Sequence, residues 1–272
     1  MTGPSVDAIP RVAFELAGAF AARGFGLWLV GGWVRDVLLG KVVDDLDFAT
    51  DARPEQSLAI LEAWGRSRPW TTGFEFGTVG VQADGFRLEV TTFRQEVYRA
   101  ESRNPEVTFA ERLETDLSRR DFTINALAIA LPEVELVDPF GGLSDLAARR
   151  IRAPISPEVS FSDDPLRMLR AVRFASTLDF TLDASVETAI RAMHDRLAIV
   201  SRERVRDELS KLMLGQAPSL GLDLATRTGL AHEFLPELPA LSLEQDPIHR
   251  HKDVFHHTLA VLDNVCASDR DE

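Results

Sequence analysis

The sequence predicts an α+β protein: a head whose mixed or antiparallel sheet carries helices, followed by an all-α neck and body. Three observations predict it. Short apolar runs read as strands before Gly31-Gly32 and around Asp45 to Phe48, and as a hairpin over residues 74–93. After Pro154 and Pro157 that strand signal disappears and helical periodicity dominates. The 272 residues suffice for two domains. The expected division is a head over 1–155, a helical neck and body over 156–240, and the start of a further domain over 241–272.

Composition narrows the function classes. Hydrophobic residues make up 45% of the chain, enough for a real core. No apolar run approaches the roughly 18 residues of a membrane span, and the N-terminus lacks a signal-peptide pattern. One cysteine, Cys266, excludes an internal disulfide framework. The expectation is a soluble, cytoplasmic protein. A net charge of −13 argues against a non-specific nucleic-acid coat. It leaves room for an enzyme that concentrates arginine in one groove. Lysine occurs only at Lys41, Lys211 and Lys252, and arginine suits bidentate phosphate contacts.

The first helix is expected over 6–24, from Ile9, Val12, Ala13, Leu16, Ala17 and Phe20, and ends at Gly24. Leu27 to Val30 then reads as a strand running into Gly31-Gly32, followed by a helix carrying Arg35. A glycine pair lets the backbone approach an anion, and a helix start presents N–H groups to it. Asp45 and Asp47 lie two apart, so a strand puts both on one face and Leu46 on the other. Paired carboxylates beside a phosphate site suit magnesium-dependent phosphoryl or nucleotidyl transfer.

A helix is expected over 54–66, then a β-hairpin over 74–93 turning at Asp84-Gly85. Glu89 shares a strand face with Arg87 and Thr91. It either joins Asp45 and Asp47 as a third carboxylate or pairs with Arg87 at the surface, and spacing alone favours the pair. Residues 95–110 are polar and aperiodic and read as a loop. Arg119-Arg120-Asp121 precedes an apolar stretch read as a helix capped by Asp121 or Thr123. Val137 to Gly142 is a turn, and Leu143 to Arg152 a short amphipathic helix. A helix over 162–177 starts at Pro165 with Asp164 as its cap and repeats arginine at Arg167, Arg170 and Arg173. Helices follow over 183–200, 201–215 and 258–266, with shorter pieces over 217–240. His249, His251, His256 and His257 form a terminal cluster, either metal-binding or a polar loop.

Five segments, taken in order, resemble the class II tRNA nucleotidyltransferases (CCA-adding enzymes) and their bacterial poly(A) polymerase relatives. They are Val30-Gly-Gly-Trp-Val-Arg-Asp with Asp45-Leu-Asp47; Glu89-Val-Thr-Thr-Phe-Arg; Arg119-Arg-Asp-Phe-Thr-Ile-Asn125-Ala; Asp164-Pro-Leu-Arg167-Met-Leu-Arg170-Ala-Val-Arg173-Phe; and Glu203-Arg-Val-Arg-Asp-Glu208-Leu. The resemblance covers residues 30–214 and implies a polymerase β-like nucleotidyltransferase head. It implies Mg2+ held by Asp45 and Asp47, with Glu89 a weaker third ligand. Gly31, Gly32 and Arg35 would hold the nucleotide phosphates, while Arg120, Asp121 and Asn125 position ribose and triphosphate. Asp164 and Arg167 would read the base, and Arg170 and Arg173 complete the nucleotide site. Asp163 stands where relatives often carry Glu.

The implied activity is template-independent addition of CCA to a tRNA 3′ end from CTP and ATP. Poly(A), A-only or CC-only addition on the same scaffold are alternatives, as is a catalytically silent RNA-binding protein. The basic Arg-Arg-Phe-Arg stretch that poly(A) polymerases carry ahead of Glu89 is absent, and the 95–110 loop needed for the switch to A is present. The terminal segment resembles the start of an HD phosphohydrolase domain, with His257 as first ligand. The further ligands such a site needs do not occur before Glu272, so no competent HD site is expected.

Overall fold

A computed structural model describes residues 6–97, 106–242 and 254–268. The chain divides into two compact units, residues 1–147 and 148–272.

The first unit is built on a mixed sheet. Helix α1 (Arg11–Ala21) buries Val12, Ala13, Leu16, Ala17 and Phe20 on one face. Leu16 and Phe20 are fully buried, worth about 1.5–3 kcal/mol each. Strand β1 (Leu27–Val30) leads into α2 (Gly32–Leu38), then β2 (Asp45–Thr50) and α3 (Pro54–Trp64). Pro54 opens α3, and Gly65 closes it in the left-handed region. Strands β3 (Thr78–Ala83) and β4 (Phe86–Thr92) form the expected hairpin around Asp84 and Gly85, both at positive φ.

Residues 95–110 depart from the expected loop. Strands β5 (Arg94–Val97) and β6 (Glu106–Phe109) pair antiparallel as a separate ribbon; residues 98–105 lie outside the described residues. Helix α4 (Leu113–Ser118) follows. The segment after Arg119-Arg120-Asp121 also departs from expectation. Only Thr123–Asn125 is helical, as a single 3₁₀ turn, and the apolar run becomes strand β7 (Ala128–Leu131). A short apolar run buried on both faces carries no period that separates strand from helix, and pairing with β1 decides it here. Strand β8 (Glu135–Val137) and helix α5 (Gly142–Ala147) complete the unit.

The strand order is β3-β4-β2-β1-β7-β8. β2 and β4 run parallel, and every other pairing in this sheet is antiparallel. One core joins α1 and α3 to Leu29, Leu46, Phe48, Val79, Val81, Leu88 and Val90. A smaller cluster, including Val30, Ala49, Phe93, Leu117 and Ala128, forms around α4.

The second unit is mostly helical. Among the described residues, its one strand pair joins β9 (Arg150–Ile151) to β10 (Thr181–Leu182) in parallel. Between them lie α6 (Pro157–Asp163) and α7 (Leu166–Leu178). Pro157, which on the sequence closes the head with Pro154, opens α6 behind the Ser156 N-cap, whose hydroxyl accepts from Val159 N. Helices α8 (Ala184–Met193), α9 (Arg202–Met213), α10 (Pro218–Arg227) and α11 (Val254–Ser268) follow. α7 packs on α9 and α10, and α10 on α11. His256 and His257 lie on α11, while His249 and His251 fall outside the described residues. Among the described residues no helix is long and apolar enough to cross a membrane.

Candidate active site

Strand β1 ends in a turn that only glycine fits. Gly31 has φ 73°, a region costly for residues with a Cβ. A Cβ there would also stand 2.8 Å from Nη1 of Arg120. The turn is thus shaped to bring a guanidinium against the backbone. Arg35, on α2, is nearly buried. Its Nε and Nη2 donate to Asp36 at 3.0 and 2.7 Å, and its Nη1 to Oδ1 of Asn125 at 2.6 Å. Asn125 Nδ2 donates to Oδ1 of Asp121 at 2.9 Å, which also accepts from Phe122 N. Arg35, Asn125 and Asp121 therefore form one network beside the turn. Asp121 is not the helix cap that the sequence suggested, because it spends its carboxylate on this network and no long helix follows.

The carboxylates stand on the neighbouring strands. Leu46 and Phe48 are buried on one face of β2, and Asp45 and Asp47 face solvent on the other. The parallel register sets Asp45 opposite Arg87 and Asp47 opposite Glu89. These four side chains line a cleft of about 260 Å³. Arg87 pairs with Glu89 at 2.5 Å, the arrangement that spacing favoured. Arg87 also lies over the Trp70 ring, 5.1 Å from its centroid. Trp70 bridges to Gly80 of β3 through two backbone hydrogen bonds, and its ring fills the space above that glycine.

Asp47 carries the clearest electrostatic signature. Its pKa rises from the usual 3.8 to about 6. Water reaches the side chain, yet the surrounding protein desolvates it, and that is the largest cause. Arg120 opposes the rise, and Glu89 and Asp45 add to it. Three carboxylates, Asp45, Asp47 and Glu89, line the cleft with one arginine, Arg87.

In the second unit, Asp164 Oδ1 accepts from Leu166 N, at the start of α7, at 3.1 Å, and its Oδ2 accepts from Arg204 at 2.8 Å. Arg167 is nearly buried, and its Nη1 donates to the Ser160 hydroxyl at 3.0 Å. Arg170 and Arg173 converge on Glu208 of α9 at 3.4 and 2.5 Å, joined by Lys211 at 3.3 Å. Arg173 also stacks on Phe174, 4.0 Å from the ring centroid. Burial alone would raise the Glu208 pKa; the charges of Arg173 and Arg170 outweigh it and hold it below the usual carboxylate range.

Comparison with known proteins places this geometry. Residues 27–152 match the poly A polymerase head domain, and residues 179–241 match the probable RNA and SrmB-binding site of polymerase A. The CCA-adding enzyme of Lactobacillus delbrueckii subsp. bulgaricus is 41% identical over 277 residues, covering 98% of this chain and 67% of that protein. The chain belongs to the CCA-adding enzyme family. The CCA-adding enzyme of Pediococcus pentosaceus is 43% identical over 84% of this chain, which spans 56% of that relative's length. The Bacillus stearothermophilus CCA-adding enzyme, solved in complex with CTP, superposes with a TM-score of 0.73 at 39% identity. That match covers 80% of this chain and 52% of the other. A tRNA nucleotidyltransferase solved with a primer tRNA and an incoming ATP analog gives 0.69 at 32% identity, over 83% and 67% of the two chains.

Nucleotidyltransferases of this family use divalent metals. The donor set here fits one. Asp45 and Asp47 offer hard carboxylate oxygens on one strand face, in a cleft where three carboxylates meet one arginine. Among the described residues no three or more acidic, histidine or cysteine side chains gather tightly enough to ligate a metal. A pair is what Mg2+ requires, since substrate phosphates and water complete its shell.

One buried carboxylate beside this site has no counterpart among the residues expected from the sequence. Asp116, on α4, has a side chain only 1% exposed and bonds both Arg119 and Arg120. The spacing was a usable signal, because residues three and four apart on a helix meet.

Proposed function

We propose that this protein is a template-independent tRNA nucleotidyltransferase that adds CCA to the tRNA 3′ end from CTP and ATP and releases pyrophosphate. The observation that carries the reading is the Asp45/Asp47 pair, exposed on one face of β2 and under the influence of Arg120, whose guanidinium lies on the glycine turn. The relatives named above, two of them solved with CTP or an ATP analog, support the substrate assignment.

The reaction is in-line attack of the RNA 3′-hydroxyl on the α-phosphate. Mg2+ held by Asp45 and Asp47 would lower the hydroxyl's pKa and neutralise charge on the phosphates. The chain's own residues do the rest. Arg35 and Arg120 bind the triphosphate, beside the close backbone approach that Gly31 and Gly32 permit. Asp121 and Asn125 hold Arg35 and set the ribose. Glu89 supports the carboxylate pair and must leave Arg87 to act as a ligand. In the second unit Arg204 and the α7 N-terminus orient Asp164, and Ser160 orients Arg167. Cytosine and adenine both present an amino donor beside a ring-nitrogen acceptor. A carboxylate and a guanidinium satisfy that pair, whereas uracil or guanine leaves groups unpaired at about 1–3 kcal/mol each. Arg170 and Arg173 complete the nucleotide site, fixed by Glu208.

We read 1–155 as head and 156–240 as neck and body. Residues 241–272 are then the start of an HD domain carrying His257, and the protein works in the cytoplasm. The decisive experiment incubates the protein with Mg2+, labelled CTP or ATP, and tRNA ending before CCA. Sequential incorporation of C, C and A is expected, with none for Asp45→Ala. Failure of the wild type to incorporate CTP overturns the reading.

A further inference from the structure

We infer that Asp116 is a positioning residue for the nucleotide site: its buried carboxylate holds the guanidinium groups of Arg119 and Arg120 so that Arg120 lies fixed on the Gly31 turn before a nucleotide arrives. The inference rests on the proposed role of Arg120 in binding the triphosphate.

Asp116 divides its two oxygens. Oδ1 accepts from Arg119 Nε at 3.0 Å and Nη2 at 2.7 Å, and more weakly from Arg94 N at 3.4 Å. Oδ2 accepts from Arg120 Nη2 at 3.1 Å. One buried carboxylate therefore ties together two adjacent arginines and the backbone root of the β5–β6 ribbon. Burial by itself would push the Asp116 pKa up, but Arg120 and Arg119 more than offset it and hold it low. The carboxylate is thus charged when the arginines are in place. Arg120 spends Nη2 on Asp116 and lays Nη1 against Gly31. Its Nε is buried without a hydrogen-bond partner. That state costs free energy and persists only where the surroundings impose it. The side chain is therefore held at the turn by Asp116 rather than placed by its own best hydrogen bonding.

Positioning of this kind acts on a nucleotide through preorganisation. A free arginine must surrender rotamer freedom on binding, and one already anchored surrenders little. Leu117, beside Asp116, is fully buried in the small cluster around α4, so the helix that carries the carboxylate is itself fixed.

The test uses Asp116→Asn, Arg120→Gln and the double variant in the full chain. It measures CTP binding by calorimetry without primer, KM and kcat for CTP incorporation, and melting temperature. Asp116→Asn is expected to weaken CTP binding and raise KM about tenfold, the loss of one charged hydrogen bond, with a smaller change in kcat. The double variant is expected to be little worse than Arg120→Gln alone, because Asp116 acts through Arg120. Wild-type CTP affinity in folded Asp116→Asn overturns the inference, as do independent, multiplying effects in the double variant. If Asp116→Asn does not fold, Asp116→Glu carries the test, since it keeps the charge but shifts it by one methylene. Weaker CTP binding at an unchanged melting temperature then supports positioning, and unchanged binding overturns it. An Arg120→Gln variant that binds CTP normally would instead refute the proposed role of Arg120, a separate failure.

Discussion

Two carboxylate clusters, one in each unit, treat their charge in opposite ways. In the first, Asp45 and Asp47 face a cleft whose negative charge exceeds its compensation, and the Asp47 pKa sits at about 6. In the second, Glu208 is enclosed by Arg170, Arg173 and Lys211, and its pKa is held low. The first arrangement is unfinished until a cation arrives. The second is complete in the protein alone. A cluster that satisfies itself holds shape, and one left out of balance draws a ligand.

Substitutions can break or sharpen that contrast. The largest effect is expected from Asp45→Ala, which should cut nucleotide incorporation on the order of 10³-fold or more, the scale on which loss of a transition-state stabiliser acts. Single-turnover incorporation into primer tRNA measures it, and a loss below tenfold would remove Asp45 from the chemistry. Next comes Glu208→Gln, which leaves the enclosing cations unbalanced. It should cost about 3 kcal/mol of stability, as breaking a buried pair does, read from urea unfolding. A loss below about 1 kcal/mol would show that the cluster is a solvated surface network.

Asp47→Asn should act with the opposite sign and raise the melting temperature of the metal-free protein. The folded pKa lies above the unfolded value, so charging Asp47 opposes folding. That cost is absent below about pH 4, grows as pH rises towards 6, and is complete above it. The stabilisation should therefore appear at pH 7.5 and vanish at pH 3.5. An equal or lower melting temperature at pH 7.5 would mean that charging Asp47 costs the folded protein nothing. The smallest effect is in the wild type on acidification. Asp116 and Glu208 have depressed pKa values, so their stabilisation is fully present above about pH 4.5. It is lost as pH falls through their folded values. Glu208→Gln should flatten the acid limb of a melting-temperature profile, and an unchanged limb would contradict the assignment.

Much of the head was legible because its signals are local. A strand ending in two glycines and a pair of aspartates two apart each declare their geometry within a few residues. The body helices declared themselves by period. The apolar run at Ala128–Leu131 did not, because a central strand covered on both faces has no alternation to read. Helix α6 was missed although Ser156-Pro157 is a helix start, since proline was weighted as a breaker. Glu89 was legible as ambiguous: its register beside Asp47 comes from parallel pairing with β2, while its bond to Arg87 is local. Asp116 lay at readable spacing from two arginines, but its burial depends on the fold and sequence does not show it.

The ring of Trp70 rests where β3 has no side chain, with a Cβ on Gly80 falling 2.1 Å from it. The outer wall of the cleft is therefore moulded by a missing carbon. Val79 and Val81, on either side, turn into the core, so the strand's own anchorage does not depend on that glycine. Gly80 pairs its backbone with Trp70 and, having no Cβ, leaves room for the indole on which Arg87 lies. An alanine there would meet the indole ring head-on, and Arg87 would lose the floor it lies on.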